Sequence, residues 1–312
     1  MSTSSQRALV HKGSTKDVYR DGDHLVFNFS DRYSVFDWGE MPDHVPLKGL
    51  ALAKFTRKIY RALEEKGVRT HLLEIPVGDN EIAIRPYEVV RGDYTSMKQE
   101  DNLFIPLEVI FRLGVATGSS LLKRSSEYKE GQRFETPMIE FTTKLERFDR
   151  PLTHEEAKIL GGFRDGEWKK LLYTTQSIAK FLNDVFARAG IELWDGKVEF
   201  AFGKTIDGNR TIVLVDSIGP DELRLSKDGV QLSKEVMRQY YRKTAWYQTM
   251  EAGKKEFGID FKNRVPVPEN LPARFLETVS YMYTILAAVI LCDDKQILSS
   301  VDKILPSLKE YK

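Results

Sequence analysis

Lys197, Glu199, Asp216, Asp221 and Arg224 fall within one short stretch of this 312-residue chain. The stretch reads as two β runs joined by a turn. Residues 197–202 mix aromatic and β-branched types, and residues 211–215 are almost wholly apolar, the pattern of a strand buried on both faces. Asp207-Gly208-Asn209 supplies the positive-φ positions that a hairpin turn requires. Lys197 and Glu199 stand two apart and so share one face of their strand. Asp216 ends the buried run, and Asp221 and Arg224 follow a Gly219-Pro220 turn. Carboxylates at the mouth of a buried hairpin are costly unless they hold a cation or a charged partner. Two of them beside a lysine suit Mg2+ and a polyphosphate, because Mg2+ takes one or two carboxylates and leaves its remaining positions to phosphate and water. The plainer alternative is a hairpin whose strand ends carry ordinary surface ion pairs.

Other stretches offer anion-binding chemistry. Lys12-Gly13-Ser14-Thr15-Lys16 is a small-residue loop between two β runs, able to present backbone N–H groups and ammonium ions to phosphate. It lacks the full phosphate-loop spacing, so a hairpin loop with solvated lysines fits it as well. Asp31-Arg32-Tyr33-Ser34 crowds polar groups directly after a buried strand, and Lys48-Gly49 opens a helix. Gly114-Val115-Ala116-Thr117-Gly118-Ser119-Ser120 lies between a strand over 105–112 and a short helix ending at Arg124. Helix N-terminal amides could seat an anion there, or Ser119 or Ser120 could simply cap the helix.

The elements that must position these residues follow from periodicity. Residues 8–37 read as strand, loop, strand, hairpin, strand. Leu52, Phe55, Ile59, Ala62 and Leu63 make one helical face over 50–66, stopped at Gly67. Residues 70–74 and 81–90 read as strands, interrupted at Arg91-Gly92-Asp93-Tyr94-Thr95-Ser96. Thr153 starts a short helix with Glu155 and Glu156 in its first turn. The strongest helical stripe, Trp168 through Ala189, is core-forming. Residues 233–246 read as a helix, 251–271 as an extended crossing segment rich in Lys, Gly and Pro, and 272–292 as a second long apolar helix ahead of a short terminal one.

Composition narrows the function classes. Lys and Arg number 47 against 46 Asp and Glu, a balance that argues against a general nucleic-acid or acidic-membrane binder. One cysteine, Cys292, excludes an internal disulfide framework and a thiolate cluster, and 5 histidines show no zinc spacing. Residues 1–6 are polar and lack the apolar core of a secretory signal, and the most apolar run, 279–292, is too short for a membrane span. A cytoplasmic protein working on small molecules is expected.

Several motifs, in order along the chain, carry a resemblance. They are Gly13-Ser14-Thr15-Lys16-Asp17-Val18-Tyr19; Asp31-Arg32-Tyr33-Ser34-Val35-Phe36-Asp37; Lys48-Gly49; the Ile-Pro-x-Glu-x-x-x-Arg segment beginning at Ile105, with its downstream Lys123-Arg124; Lys197-Val198-Glu199-Phe200; Asp216, Pro220-Asp221 and Arg224; and Pro268 through Pro272. Over nearly its whole length the chain resembles the SAICAR synthetase family, phosphoribosylaminoimidazole-succinocarboxamide synthases of purine biosynthesis. The resemblance implies an α+β, two-lobed fold with an ATP-grasp- or kinase-like nucleotide site between antiparallel sheets. It implies an ATP-binding lobe over 1–90 and a lobe over 91–312 carrying the metal and substrate sites. The activity implied joins L-aspartate to carboxyaminoimidazole ribotide through an acyl phosphate, using ATP and Mg2+. By position, Lys12, Gly13, Ser14 and Lys16 belong to the ATP phosphates. Glu199 and Asp216 belong to Mg2+ and to catalysis, with Lys197 beside the ribotide. Asp31, Arg32, Ser34, Lys48, Arg112, Ser119, Asp221 and Arg224 belong to the substrates. Monomer and homo-oligomer both fit.

The chain departs from the family pattern at Ser14, where a lysine is usual, at Ser217, where an acid is usual, and at Ser226, where an aromatic is usual. These departures admit a paralogous amide ligase acting on a related azole nucleotide. A non-catalytic nucleotide-binding protein of the same fold is the remaining alternative.

Overall fold

Asp21-Gly22 and the Gly13–Thr15 loop fold the first residues into an antiparallel meander: β1 (Ala8–Lys12), β2 (Lys16–Asp21) and β3 (His24–Phe29). The computed structural model describes residues 7–92, 100–147 and 149–311; the polar start at 1–6, most of the interruption after Arg91, and Phe148 lie outside the described residues. Helix α1 (Lys48–Glu65) follows, then β4 (Leu72–Leu73), β5 (Glu81–Ile84), β6 (Leu103–Phe104), β7 (Leu107–Gly114) and the single-turn α2 (Leu121–Arg124). Next come β8 (Arg133–Thr143), β9 (Pro151–Leu152), α3 (His154–Leu160), α4 (Glu167–Ala187), the long β10 (Glu192–Ile206) and β11 (Asn209–Val215). The chain ends with β12 (Leu223–Lys227), β13 (Val230–Gln231), α5 (Glu235–Arg242), α6 (Ala245–Phe257), a 3-10 helix (Gly258–Asn263), α7 (Ala273–Val289), α8 (Lys295–Leu298) and α9 (Ser300–Lys309).

Two compact units form. One gathers Met1–Phe55, Glu74–Ala83 and Ser226–Lys312; the other gathers Thr56–Leu73 and Ile84–Leu225. This division differs from a single cut at residue 90, because α1, β5 and β12 each carry the chain from one unit into the other. In the first unit β1, β2, β3 and β5 lie side by side. Its helical part packs α7 on α9, with Phe275, Val279, Met282 and Leu286 buried.

In the second unit an antiparallel sheet runs β12-β10-β7-β8-β9, with β11 and β6 also paired to β10. Strand β10 serves two ladders in turn. Asp195 to Val198 pair with β7, and Glu199 to Ile206 pair with β11, with a bulge between Phe202 and Thr205. Asp207 (φ 49°) and Gly208 (φ 82°) make the expected hairpin turn. Helix α4 lies on one face of this sheet and buries Leu171, Ile178, Leu182, Val185 and Phe186. Each such side chain taken out of water contributes roughly 1.5–3 kcal/mol of gross stabilisation. The Trp168 ring, 4.9 Å from Phe141, closes the packing. Thr153 and Glu156 form the reciprocal cap of α3, which holds that helix at its expected start.

Three sequence expectations change. The strands expected over 70–74 and 81–90 are shorter, the second ending before Pro86, which has no N–H to give a ladder. The helix expected over 233–246 is two helices, because Thr244 accepts a hydrogen bond from Tyr247 N and so starts α6 afresh. The crossing segment expected over 251–271 is helical through Asn263; its lysines and glutamates are the polar face of α6 rather than a linker.

Candidate active site

The sheet's pleat builds the site. Asp195, Lys197 and Glu199 alternate onto one face of β10, and Glu108 and Arg112 onto the same face of β7. The register sets Asp195 opposite Arg112 and Lys197 opposite Ile110. On β8, Glu140 lies opposite Ile110 and Thr142 opposite Glu108. Between them Gly196 points the other way, where a methyl group would run into Phe111 and Leu223. The opposite face is the apolar one covered by α4, so Asp195, Lys197, Glu199, Glu108, Arg112 and Glu140 are all turned to a single side.

Two ionic clusters result. In the first, Lys197 Nζ lies 2.7 Å from Glu108 Oε1 and 3.3 Å from Glu199 Oε1. Lys144 Nζ, just past the end of β8, lies 2.9 Å from Glu108 Oε1 and 2.8 Å from Glu199 Oε1. Glu108 and Glu199 are buried. Glu199 stands opposite Val215, one residue from Asp216. Burial opposes the charge on Glu108, yet the ammonium groups of Lys197 and Lys144 outweigh it and hold the carboxyl below the usual range. Burial likewise opposes the charge on Lys197, and Glu199, Glu108 and Asp216 overcome it, driving the ammonium well above its ordinary value. Lys144 is raised for the same reasons, chiefly by Glu199 against its burial. Both lysines therefore stay cationic, suited to neutralising phosphate rather than to accepting protons.

The second cluster lies one pleat further along. Arg112 pairs with Glu140 through Nε and with Asp195 through Nη1 at 3.0 Å. It also donates to Ser119 Oγ at 3.5 Å and Ser120 Oγ at 3.1 Å. Arg224 Nη1 stands 3.6 Å from Asp195, and Arg124 2.7 Å from Glu140. A cavity of about 410 Å³ opens here between Arg112, Arg124, Glu140 and His154. In the Thr117-Gly118-Ser119 turn, Gly118 adopts φ 71°. Ser119 is buried, and its hydroxyl accepts from Leu121 N, closing a local turn just ahead of α2, whose N-cap is Ser120. Asp221 lies in the turn closed by Leu223 N donating to Gly219 O.

The remaining candidates belong to the first unit. Gly13 N donates to Lys16 O, closing the loop so tightly that a side chain at Gly13 would strike that carbonyl. Lys12 and Ser14 are exposed. Lys16 Nζ rides 4.8 Å over the Phe27 ring. Arg32 donates to Gly13 O at 3.1 Å and to Asp17 at 2.5 Å. Asp31 accepts from Leu47 N and Gly49 N, capping α1. Lys48 is fully buried and donates to Arg32 O at 3.2 Å. Ser34 Oγ accepts from Gly39 N.

Sequence reasoning assigned no role to Glu108, Lys144, Asp195 or Glu140. Glu108 and Arg112 had a usable signal, two charges four apart in an otherwise apolar strand and hence on one face. Lys144 had none. Among the described residues no set of three carboxylates, imidazoles or thiolates converges as a metal cage. Glu199 and Asp216 fit only an ion that leaves most of its sphere to phosphate and water, and Mg2+ is such an ion. Glu199 Oε1 is buried and receives no hydrogen bond among the described residues, its lysine contacts being ion pairs of poor hydrogen-bond geometry. An acceptor in that state is suited to a cation.

This is a two-unit α+β protein with a cluster of two lysines and two buried carboxylates on one sheet face. The SAICAR synthetase family model matches residues 9–253. The chain belongs to the SAICAR synthetase family. A relative from Archaeoglobus fulgidus is 37% identical over 286 residues, covering 82% of this chain and 85% of that one. The phosphoribosylaminoimidazole-succinocarboxamide synthase of Thermoplasma acidophilum is 31% identical over 296 residues, covering 88% and 97%. A SAICAR synthetase solved in complex with ADP is 29% identical with a TM-score of 0.60, covering 83% of this chain and 99% of that one. The Saccharomyces cerevisiae SAICAR-synthase complexed with SAICAR shares the fold, at TM-score 0.67 and 20% identity, covering 93% and 96%. Among the described residues no helix is long and apolar enough to cross a membrane.

Proposed function

We propose that this chain is an ATP-dependent ligase of purine biosynthesis that joins L-aspartate to carboxyaminoimidazole ribotide, and that the face bearing Glu108, Lys144, Lys197, Glu199 and Asp216 is where phosphoryl transfer occurs. The observation that carries the site assignment is the pair of lysines, Lys144 and Lys197, each within ion-pair distance of the buried Glu108 and Glu199, in a protein of this family. A carboxylate resists an amine because it is anionic and has no leaving group. Phosphorylation supplies the leaving group; the aspartate amine then attacks the acyl carbon, and inorganic phosphate departs with its oxygen. Glu199 and Asp216 would hold Mg2+, which supplies charge neutralisation at the phosphates. Lys197 and Lys144 neutralise the oxygens of the transferred group, and no covalent protein nucleophile is required. Arg112, Ser119, Asp221 and Arg224 take the ribotide's anionic and hydroxyl groups, Arg112 already fixed in orientation by Glu140 and Asp195.

In the first unit, Lys12, Gly13, Ser14 and Lys16 take the ATP phosphates. Asp31, Arg32, Ser34 and Lys48 take part in substrate binding, their contacts within that unit holding them in place. The test is ADP release measured over a matrix of azole nucleotides and amino acids. Turnover with the carboxyaminoimidazole ribotide and aspartate, giving the amide, is expected. Turnover only with a different azole nucleotide makes the chain a paralogous ligase, and ATP binding without turnover on any pair defeats the enzymatic reading.

Lys16 separates loop from site. Lys16→Ala should weaken ATP binding by about tenfold, on the order of 1.4 kcal/mol, and leave aspartate binding unchanged. Lys12→Ala should have the smaller effect, Lys12 being exposed at the end of β1. Titration calorimetry on both variants decides; equal and negligible effects would reduce the segment to a hairpin loop.

A further inference from the structure

Asp216 has a positive φ of 66°, a left-handed conformation that a non-glycine residue keeps only when its surroundings fix it. The fixing groups come from α1 and the segment after it. Tyr60 Oη donates to Val215 O at 3.1 Å and to Asp216 O at 3.0 Å. His71 Nε2 contacts Asp216 O at 3.0 Å; a carbonyl can only accept, so that ring nitrogen carries the proton. Thr56, one helical turn before Tyr60, donates to Ile218 O at 3.1 Å. Tyr60 is fully buried and His71 nearly so, and their rings meet edge to face at 5.7 Å. His71 is itself locked, since its backbone N–H donates to Leu214 O and its carbonyl accepts from Arg85 N.

The geometry has a direct reading. The Val215 carbonyl marks the peptide plane entering Asp216, and the Asp216 carbonyl marks the plane leaving it. The rotations between those two planes are the φ and ψ of Asp216. One hydroxyl touching both carbonyls, with an imidazole on the second, therefore fixes the direction of the Asp216 Cα–Cβ bond.

We propose that Tyr60 and His71 are positioning residues that aim the Asp216 carboxylate at the metal and phosphate side of the site. This rests on the reading of Asp216 as a metal ligand, and the test separates the two. Binding of Mn2+ to the ADP-loaded protein is followed by electron paramagnetic resonance in the parent, Tyr60→Phe, His71→Ala, His71→Gln and Asp216→Asn, each checked for folding by circular dichroism. Partners that orient a ligand are worth tenfold to a hundredfold in metal affinity, so Tyr60→Phe and His71→Ala should each weaken Mn2+ by about tenfold. His71→Gln, which returns an N–H donor near the lost one, should recover to within about threefold. Binding of ADP alone should be unchanged in all. If Asp216→Asn binds Mn2+ as the parent does, the ligand assignment fails. If Asp216→Asn loses the ion while folded Tyr60→Phe and His71→Ala keep parental affinity, the ligand assignment stands and the positioning role is overturned. Should Tyr60→Phe not fold, the two His71 variants carry the same decision.

Discussion

Asp216→Asn and Glu199→Gln should each lower Mg2+-dependent ADP release by roughly a hundredfold or more, on the order of 3 kcal/mol in the barrier. Both substitutions keep the side chain's shape and remove its charge. Glu199 and Asp216 lie at the open end of the β10–β11 hairpin, Glu199 opposite Val215 and Asp216 the next residue on, and both carboxylates act electrostatically on the two lysines. Removing either leaves one carboxylate to hold an ion that must also bind phosphate. The fold should survive, because Lys144 and Lys197 keep Glu108 as a shared partner at 2.9 and 2.7 Å. Far-UV circular dichroism and the Mg2+ concentration for half-maximal ADP release are the measurements. If both variants stay within about threefold of the parent, the two carboxylates are only counter-ions for the lysines, and the metal assignment is wrong.

The second large effect concerns stability. Glu167 and Arg210 form an ion pair with no exposed side-chain surface, at 2.8 Å. Glu167 also accepts from Arg164 N at 2.7 Å and Arg210 N at 2.8 Å. Arg210 further donates to Gly162 O and Glu100 O, and its guanidinium stacks 3.5 Å over Phe202. Glu167→Ala should cost about 3–5 kcal/mol, because it strands a buried guanidinium rather than because the pair itself is strong. That corresponds to a fall of on the order of ten degrees in the unfolding midpoint of the unit containing it. A Glu167→Met, Arg210→Met double variant should be less destabilised than either single one. Additive losses would contradict this account. Burial opposes the charge of Glu167, but Arg210 and two backbone N–H groups hold its carboxyl below the ordinary value of 4.5. Its stabilisation is therefore complete above that value and is lost as pH falls through the lower folded one, so acid should narrow the gap between parent and Glu167→Ala.

Local features were legible in the sequence because their causes are local. The hairpin at Asp207-Gly208, the cap of α3 and the apolar stripe of α4 are each set by residues within a turn or two of one another. The shared face of Lys197 and Glu199 followed from alternation alone. What escaped was long-range. Glu108 meets Lys197 from 89 positions away, and Tyr60 reaches Asp216 across 156. No spacing rule spans such distances; only the pairing of β10 with β7 and of the segment after α1 with β11 creates them. Lys144 sits in a polar stretch after β8 that carries no periodic signal. The division of α5 from α6 turned on one threonine cap inside an otherwise continuous helical pattern.

The pleat of β10 has a consequence for assembly. Asp195, Lys197 and Glu199 are outward, and Val198 and Phe200 inward, by parity alone. A slip of one residue would invert all five together, setting three charges into the apolar layer under α4 and two hydrophobic side chains among the buried charges of the other face. Gly196, which alone fits between Phe111 and Leu223, and the bulge beyond Phe202 both penalise that slip. Register and site therefore stand or fall together: the same one-residue slip that unpacks β10 from α4 also takes Lys197 and Glu199 away from Glu108 and Lys144.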